Sequence, residues 1–190
     1  MKTRHISIVL LLVSIWSCGG LRKNELREYV ENKEHGLVQD ISYPQVNYHL
    51  VFRPNDLAYI YETRDGKASQ DGLESFLHER ENTSLFILDI TLSDSIKAKI
   101  NDYTEIRETY QNALNADYNH LADGMETVPC LIYHCETMGK GSYRVNLIFG
   151  KGITEIKNNW TIRFYDPVTG NHPEFIFEKE DLLHIPSLSI

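Results

Sequence analysis

Apolar and polar positions alternate over several stretches of the chain, and each predicts a strand. Val46, Tyr48, Leu50 and Phe52 alternate with Gln45, Asn47, His49 and Val51, giving a strand with one buried face that is closed by Arg53-Pro54. Phe86, Leu88, Ile90 and Leu92 alternate with Leu85, Ile87, Asp89 and Thr91, apolar enough on both faces for a central position in a sheet. From Val128 onward the chain reads as β: Cys130 to Glu136, Tyr143 to Phe149 after the turn Met138-Gly139-Lys140-Gly141, then Trp160 to Tyr165 and Glu174 to Phe177. The connections are short and rich in Gly or Asn, with Asp166-Pro167-Val168-Thr169-Gly170-Asn171 the strongest turn, so consecutive antiparallel pairing is expected.

Helical spacing takes over elsewhere. Leu26, Tyr29, Val30 and Leu37 predict a helix over about 23–34, stopped by Gly36 in the left-handed conformation. Asn55 or Asp56 is placed to cap a short helix carrying Leu57, Ile60 and Tyr61, and Leu73, Phe76 and Leu77 make a further turn or two after a polar loop. The longest stripe is Ile100, Tyr103, Ile106, Tyr110, Leu114, Tyr118 and Leu121, with Asp102 and Glu105 at its start and Gly124 beyond its end. The expected fold is therefore α+β: an antiparallel sheet of five to six strands packed on one long amphipathic helix, Tyr103 to Leu121, with shorter flanking helices and a single domain over 23–190.

The first residues follow a different pattern. Lys2, Arg4 and His5 form a basic head, Ile6 to Trp16 is predominantly apolar, and the run is about half of what a membrane-crossing helix needs. Ile15-Trp16-Ser17-Cys18-Gly19 follows. This resembles the lipobox of bacterial lipoproteins, in which an aliphatic residue stands three places before a cysteine and a small residue immediately before it; Trp16 departs from the usual small or aliphatic choice. The resemblance implies a signal peptide over 1–17, cleavage after Ser17, a diacylglycerol on Cys18 and a second acyl group such as palmitate on the new amine. Two signals hold a protein at a bilayer where one chain does not. Residues 18–22 would be the tether. Gly19, where some bacteria place an acidic residue that retains lipoproteins at the inner membrane, implies an outer-membrane address, and Leu21-Arg22-Lys23, in place of the acidic residues that follow the cysteine in some surface-displayed lipoproteins, points to the periplasmic leaflet.

Charge excludes one class of partner. Removing 1–17 takes Lys2 and Arg4 and no acid, leaving 17 basic against 27 acidic residues, a net charge of −10. A nucleic acid selects basic patches, and no Lys or Arg run exists.

Candidate chemistry centres on Cys130, His134, Cys135 and Glu136. Strict strand alternation would put Cys130, His134 and Glu136 on one face and Cys135 on the other, which disfavours a tetrahedral metal site and separates His134 from Cys135 as base and nucleophile. The same extended geometry sets the two cysteines about 16 Å apart, beyond disulfide reach. The other histidines lack any paired spacing, and no serine elbow, P-loop or dinucleotide fingerprint occurs. Arg53, Asp56, His134 and Glu136 are the residues from which a buried ion network could be built.

The runs Tyr29-Val30, His35-Gly36-Leu37-Val38, Phe52-Arg53-Pro54-Asn55-Asp56-Leu57, Pro129-Cys130-Leu131-Ile132-Tyr133-His134-Cys135-Glu136 and Ile185-Pro186-Ser187-Leu188 resemble a family of small uncharacterised lipoproteins of Bacteroidota. The resemblance brings no catalytic residue, metal or cofactor with it. The expectation is a membrane-anchored envelope protein with a non-enzymatic binding or scaffold role toward an envelope protein or ligand. An envelope hydrolase and a periplasmic inhibitor or immunity-type protein are the alternatives; the first needs a pocket gathering His134, Glu136 and a nucleophile, the second an acidic face.

Overall fold

The computed structural model describes residues 20–63, 68–113 and 119–190. Within them the elements are helix α1 (Lys23–Glu31), strands β1 (Val38–Tyr43) and β2 (Val46–Arg53), helices α2 (Asn55–Glu62) and α3 (Gln70–Glu79), strand β3 (Ser84–Leu92), helices α4 (Asp94–Lys97) and α5 (Tyr103–Ala113), strands β4 (His120–Asp123), β5 (Glu126–Gly139), β6 (Ser142–Phe149), β7 (Trp160–Arg163) and β8 (Glu174–Phe177), and helix α6 (Lys179–Leu183). All eight strands belong to one antiparallel sheet in the order β1-β2-β3-β6-β5-β4-β7-β8.

This architecture corrects the expected one. The sheet has eight strands rather than five or six, it curls into a nearly closed barrel, and among the described residues no long helix covers a face. The first strand missed, β1, is an edge strand whose outward residues are polar. The second, β4, comes from the supposed helix. The described part of α5 reaches Ala113, and Leu121 lies on β4, two residues before Asp123. Gly124, at φ 64°, is the tip of the β4–β5 hairpin and not a helix stop. Leu114 and Tyr118 fall outside the described residues. Asp102 does serve the start of α5, accepting the Thr104 N–H at 2.7 Å.

Curling depends on β5. Its first part pairs with β4 and its second with β6, and a bulge between Cys130 and Ile132, just after Pro129, separates the two. A bulge adds a residue to one strand and increases local twist, and proline withholds a ladder N–H, so the strand bends from one half of the sheet into the other. The edge of β5 that β6 leaves unpaired is covered by α5. There the Gln111 side chain accepts the Cys135 N–H at 3.0 Å, and buried Tyr110 packs on Tyr143.

The interior is aromatic. Phe86 lies against the rings of Phe52, Phe149, Trp160 and Phe177, with centroids 5.1 to 6.4 Å apart across this cluster, so strands from both ends of the sheet meet on one residue. Where β1 and β8 approach, Tyr48 of β2 donates its phenol to buried Asp166 in the turn after β7, and its ring meets Tyr43 and Phe164. Asp166 also accepts the N–H groups of Val168 and Thr169, so one carboxylate shapes the turn and fastens the seam.

The chain enters the fold at Gly20. Leu21 donates to Ser187 O and accepts from Ser189 N–H, both at 2.8 Å, forming a parallel bridge with the carboxyl-terminal tail. A Cβ at Gly20 would collide with the Ser187 backbone, so this close approach requires glycine.

Candidate functional site

The polar residues singled out by the sequence go to three places. Arg53, the last residue of β2, points to the outside of the sheet and stacks its guanidinium on Tyr61, 4.6 Å from the ring centroid. Asp56 accepts the Leu188 N–H at 2.8 Å and so fixes the tail. His134 and Glu136 are exposed on β5, 3.4 Å from each other. The four therefore form no single buried network. Nor do Asn55 and Asp56 cap α2: Pro54 holds that position, and the Asn55 amide donates instead to the carbonyls of Arg80 and Thr83.

Glu136 instead ends a row that crosses five strands. Asp40 lies opposite His49, His49 opposite Asp89, Asp89 opposite Arg144 and Arg144 opposite Glu136, all on the outer surface. Asp40 contacts His49 Nδ1 at 2.7 Å and pairs with Lys33. Arg144 holds Asp89 with two bonds of 2.7 Å through Nε and Nη2, the fork geometry that makes such a pair specific. That bond raises the Arg144 pKa. Against partial burial, Lys33 and His49 bring the Asp40 carboxyl below its ordinary value. A charged outer surface around an aromatic interior is the reverse of a membrane-spanning barrel.

Helices α1 and α2 pack over this surface beside β2 and leave a cavity of about 160 Å³. Its floor is the Asp89–Arg144 pair with His49, its walls include Val30, Val51, Leu57 and Ile87, and Arg53 and Tyr61 stand at one side with Glu31. Burial lowers the Arg53 pKa. Among the described residues no carboxylate or carbonyl takes a hydrogen bond from its guanidinium.

A fully buried cation is handled differently. Lys151, 2 % exposed, reaches Asp123 at 3.0 Å and Glu126 at 2.8 Å. Asp123, fully enclosed, also accepts the N–H groups of Lys157 at 3.0 Å and Asn158 at 2.6 Å. Burial would raise its carboxyl, but the Lys151 bond and these N–H groups outweigh that and hold it at about 2. Sequence reading missed this cluster. Its one signal was a lysine framed by glycines, Gly150-Lys151-Gly152, directly after a buried strand.

The cysteines depart from simple alternation. The bulge resets the register, so Cys130 opposes Phe149 and Cys135 opposes Val145, and both cysteines face the interior side rather than opposite faces. They are not joined to each other. The Cys130 thiol reaches Ile148 O at 3.6 Å, and burial pushes the Cys135 thiol up to about 11. His134 faces outward, so Cys135 and His134 make no nucleophile and base pair. Among the described residues no three His, Cys, Asp or Glu side chains converge as metal ligands, and no helix is long and apolar enough to cross a membrane.

A larger groove of about 410 Å³ opens at the end of the barrel where the chain enters. Leu77, Ile153, Leu182, Ile185 and Pro186 make it mostly apolar. Cys18 lies outside the described residues. Compared with known proteins, the chain matches no family model, no curated protein and no solved structure.

Proposed function

We propose that this chain is a membrane-anchored lipoprotein of the bacterial cell envelope, held through acylated Cys18 on the periplasmic side of the outer membrane, and that its barrel is a non-enzymatic binding module. The observation that carries the reading is the grip on the chain at Gly20 and Leu21, only two residues after Cys18. A lipid on Cys18 would thus sit within about 10 Å of the folded surface, since an extended residue spans about 3.4 Å. The apolar groove beside Ile185 and Pro186 and the exposed side chains of Leu183 and Ile190 belong to the same tail and suit a surface held against a bilayer. The binding role is supported by the Arg53 cavity.

Intact mass and membrane fractionation of the protein beside a Cys18→Ala variant test the anchor. A mature chain beginning at Cys18 with added acyl mass, and a variant released to the soluble fraction, are expected. An unacylated, freely soluble wild-type protein would refute it.

A further inference from the structure

We infer that the cavity beneath α1 and α2 binds a small monocarboxylate with an apolar body, and that Arg53 supplies the fork that receives its carboxylate. This names the ligand class of the binding role proposed above and is independent of the anchor. Three observations converge on it.

The first is unspent donor capacity. Arg144 uses Nε and Nη2 on Asp89, His49 uses Nδ1 on Asp40, and Asp89 accepts from Arg144 at both oxygens. The floor of the cavity is therefore an internally satisfied ion pair. The guanidinium of Arg53 is half-buried beside it and rests only on a ring face among the described residues. The guanidinium is partly open to water and gives no hydrogen bond to a protein acceptor among the described residues, so an incoming anion can take its donors without breaking an internal bond.

The second is shape. A guanidinium presents two parallel N–H groups that match the two oxygens of a carboxylate, and Tyr61 beneath it fixes the plane of the fork. The cavity of about 160 Å³ adjoins it, with Val30, Val51, Leu57 and Ile87 on its walls. Those side chains offer nothing to a second charged group and suit a short hydrocarbon.

The third is charge. Arg144, Asp89 and Glu31 also line the cavity; Arg144 is spent on Asp89, which leaves Glu31 and Arg53 as the charges an occupant meets. A dianion such as phosphate meets the Glu31 repulsion twice over and a monocarboxylate once. Glu31 is exposed at the rim and acts on the Arg53 charge through solvent, and among the described residues it takes no hydrogen bond from the guanidinium.

The probe is butyrate, titrated into the purified full chain and followed by calorimetry and by amide shifts of Val51, Arg53 and Tyr61. Saturable binding is expected, weakened about tenfold or more by Arg53→Met, a loss of about 1.4 kcal/mol or more. Arg53→Lys, which keeps the charge but not the fork, is expected to weaken binding as well, and it covers the case of a misfolded methionine variant. Inorganic phosphate is expected to bind less well than butyrate. Absence of saturation, binding unchanged in both Arg53 variants, or preference for phosphate would each overturn the inference. Since acylation is read by mass and fractionation, failure here leaves the anchor standing, and loss of the anchor leaves this site standing.

Discussion

Lys151 is buried and Arg53 half-buried, and the fold surrounds the two cations in different ways. Lys151 has two carboxylates at 3.0 and 2.8 Å, and the more buried of these, Asp123, takes further N–H groups from Lys157 and Asn158. Every strong group in that cluster has a partner inside the molecule, which is what a cluster maintained for folding requires. Arg53 has a ring on one side, an apolar-walled cavity on the other, and no acceptor among the described residues. The two cations therefore differ in the completeness of their internal partners as well as in burial.

The largest expected effect lies on the Lys151 side. Lys151→Met leaves Asp123 enclosed with its charge uncompensated and should cost about 3 to 5 kcal/mol in urea unfolding. A cost below about 1 kcal/mol would mean that the backbone N–H groups alone satisfy Asp123. Acid titration of the same cluster comes next. Asp123 is held at about 2 in the fold against 3.8 in the unfolded chain. Because its folded value is depressed, the stabilisation is complete above about pH 4 and fades as pH falls through about 2, a loss on the order of 2 kcal/mol. Denaturant midpoints recorded at successive acidic pH values, with Asp123→Asn as the reference, would check both direction and window. The smallest effect is expected on the outer row. His134→Ala and Glu136→Ala remove exposed groups 3.4 Å apart and should each change stability by no more than about 0.5 kcal/mol.

Six of the strands were legible because their inward residues are uninterrupted hydrophobes, as in Val46, Tyr48, Leu50 and Phe52. The other two were hidden for separate reasons. Strand β1 is an edge whose outward positions include Asp40 and Ser42, so its apolar signal is thin. Strand β4 is four residues long and turns Asp123 inward, which erases the alternation. Leu121 also falls at helical spacing after Tyr110, Leu114 and Tyr118 and lent the stripe a false extension. Closure of the sheet rests on contacts such as Tyr48 with Asp166, far apart in sequence, which no local period reports.

The site was legible only in part. Arg53 stood out beside Pro54, but its cavity is made by α1, β2, α2, β3 and β6 together, and only the strand register places Asp89 opposite Arg144. The assignment of Cys130 and Cys135 to opposite faces failed because one inserted residue at a bulge reverses the parity of everything before it. The separation of His134 and Glu136 from Cys135 was legible from strand alternation, and the strand does turn the first two outward and Cys135 inward.

Unfolding Lys151→Met and Arg53→Met side by side with the wild type, in buffer free of carboxylates, tests the contrast most directly. Lys151→Met should lose about 3 to 5 kcal/mol, while Arg53→Met should be within about 1 kcal/mol of wild type, because it removes a half-buried charge to which no internal acid is hydrogen-bonded among the described residues. Equal and large losses for the two would contradict the distinction and make Arg53 a structural residue.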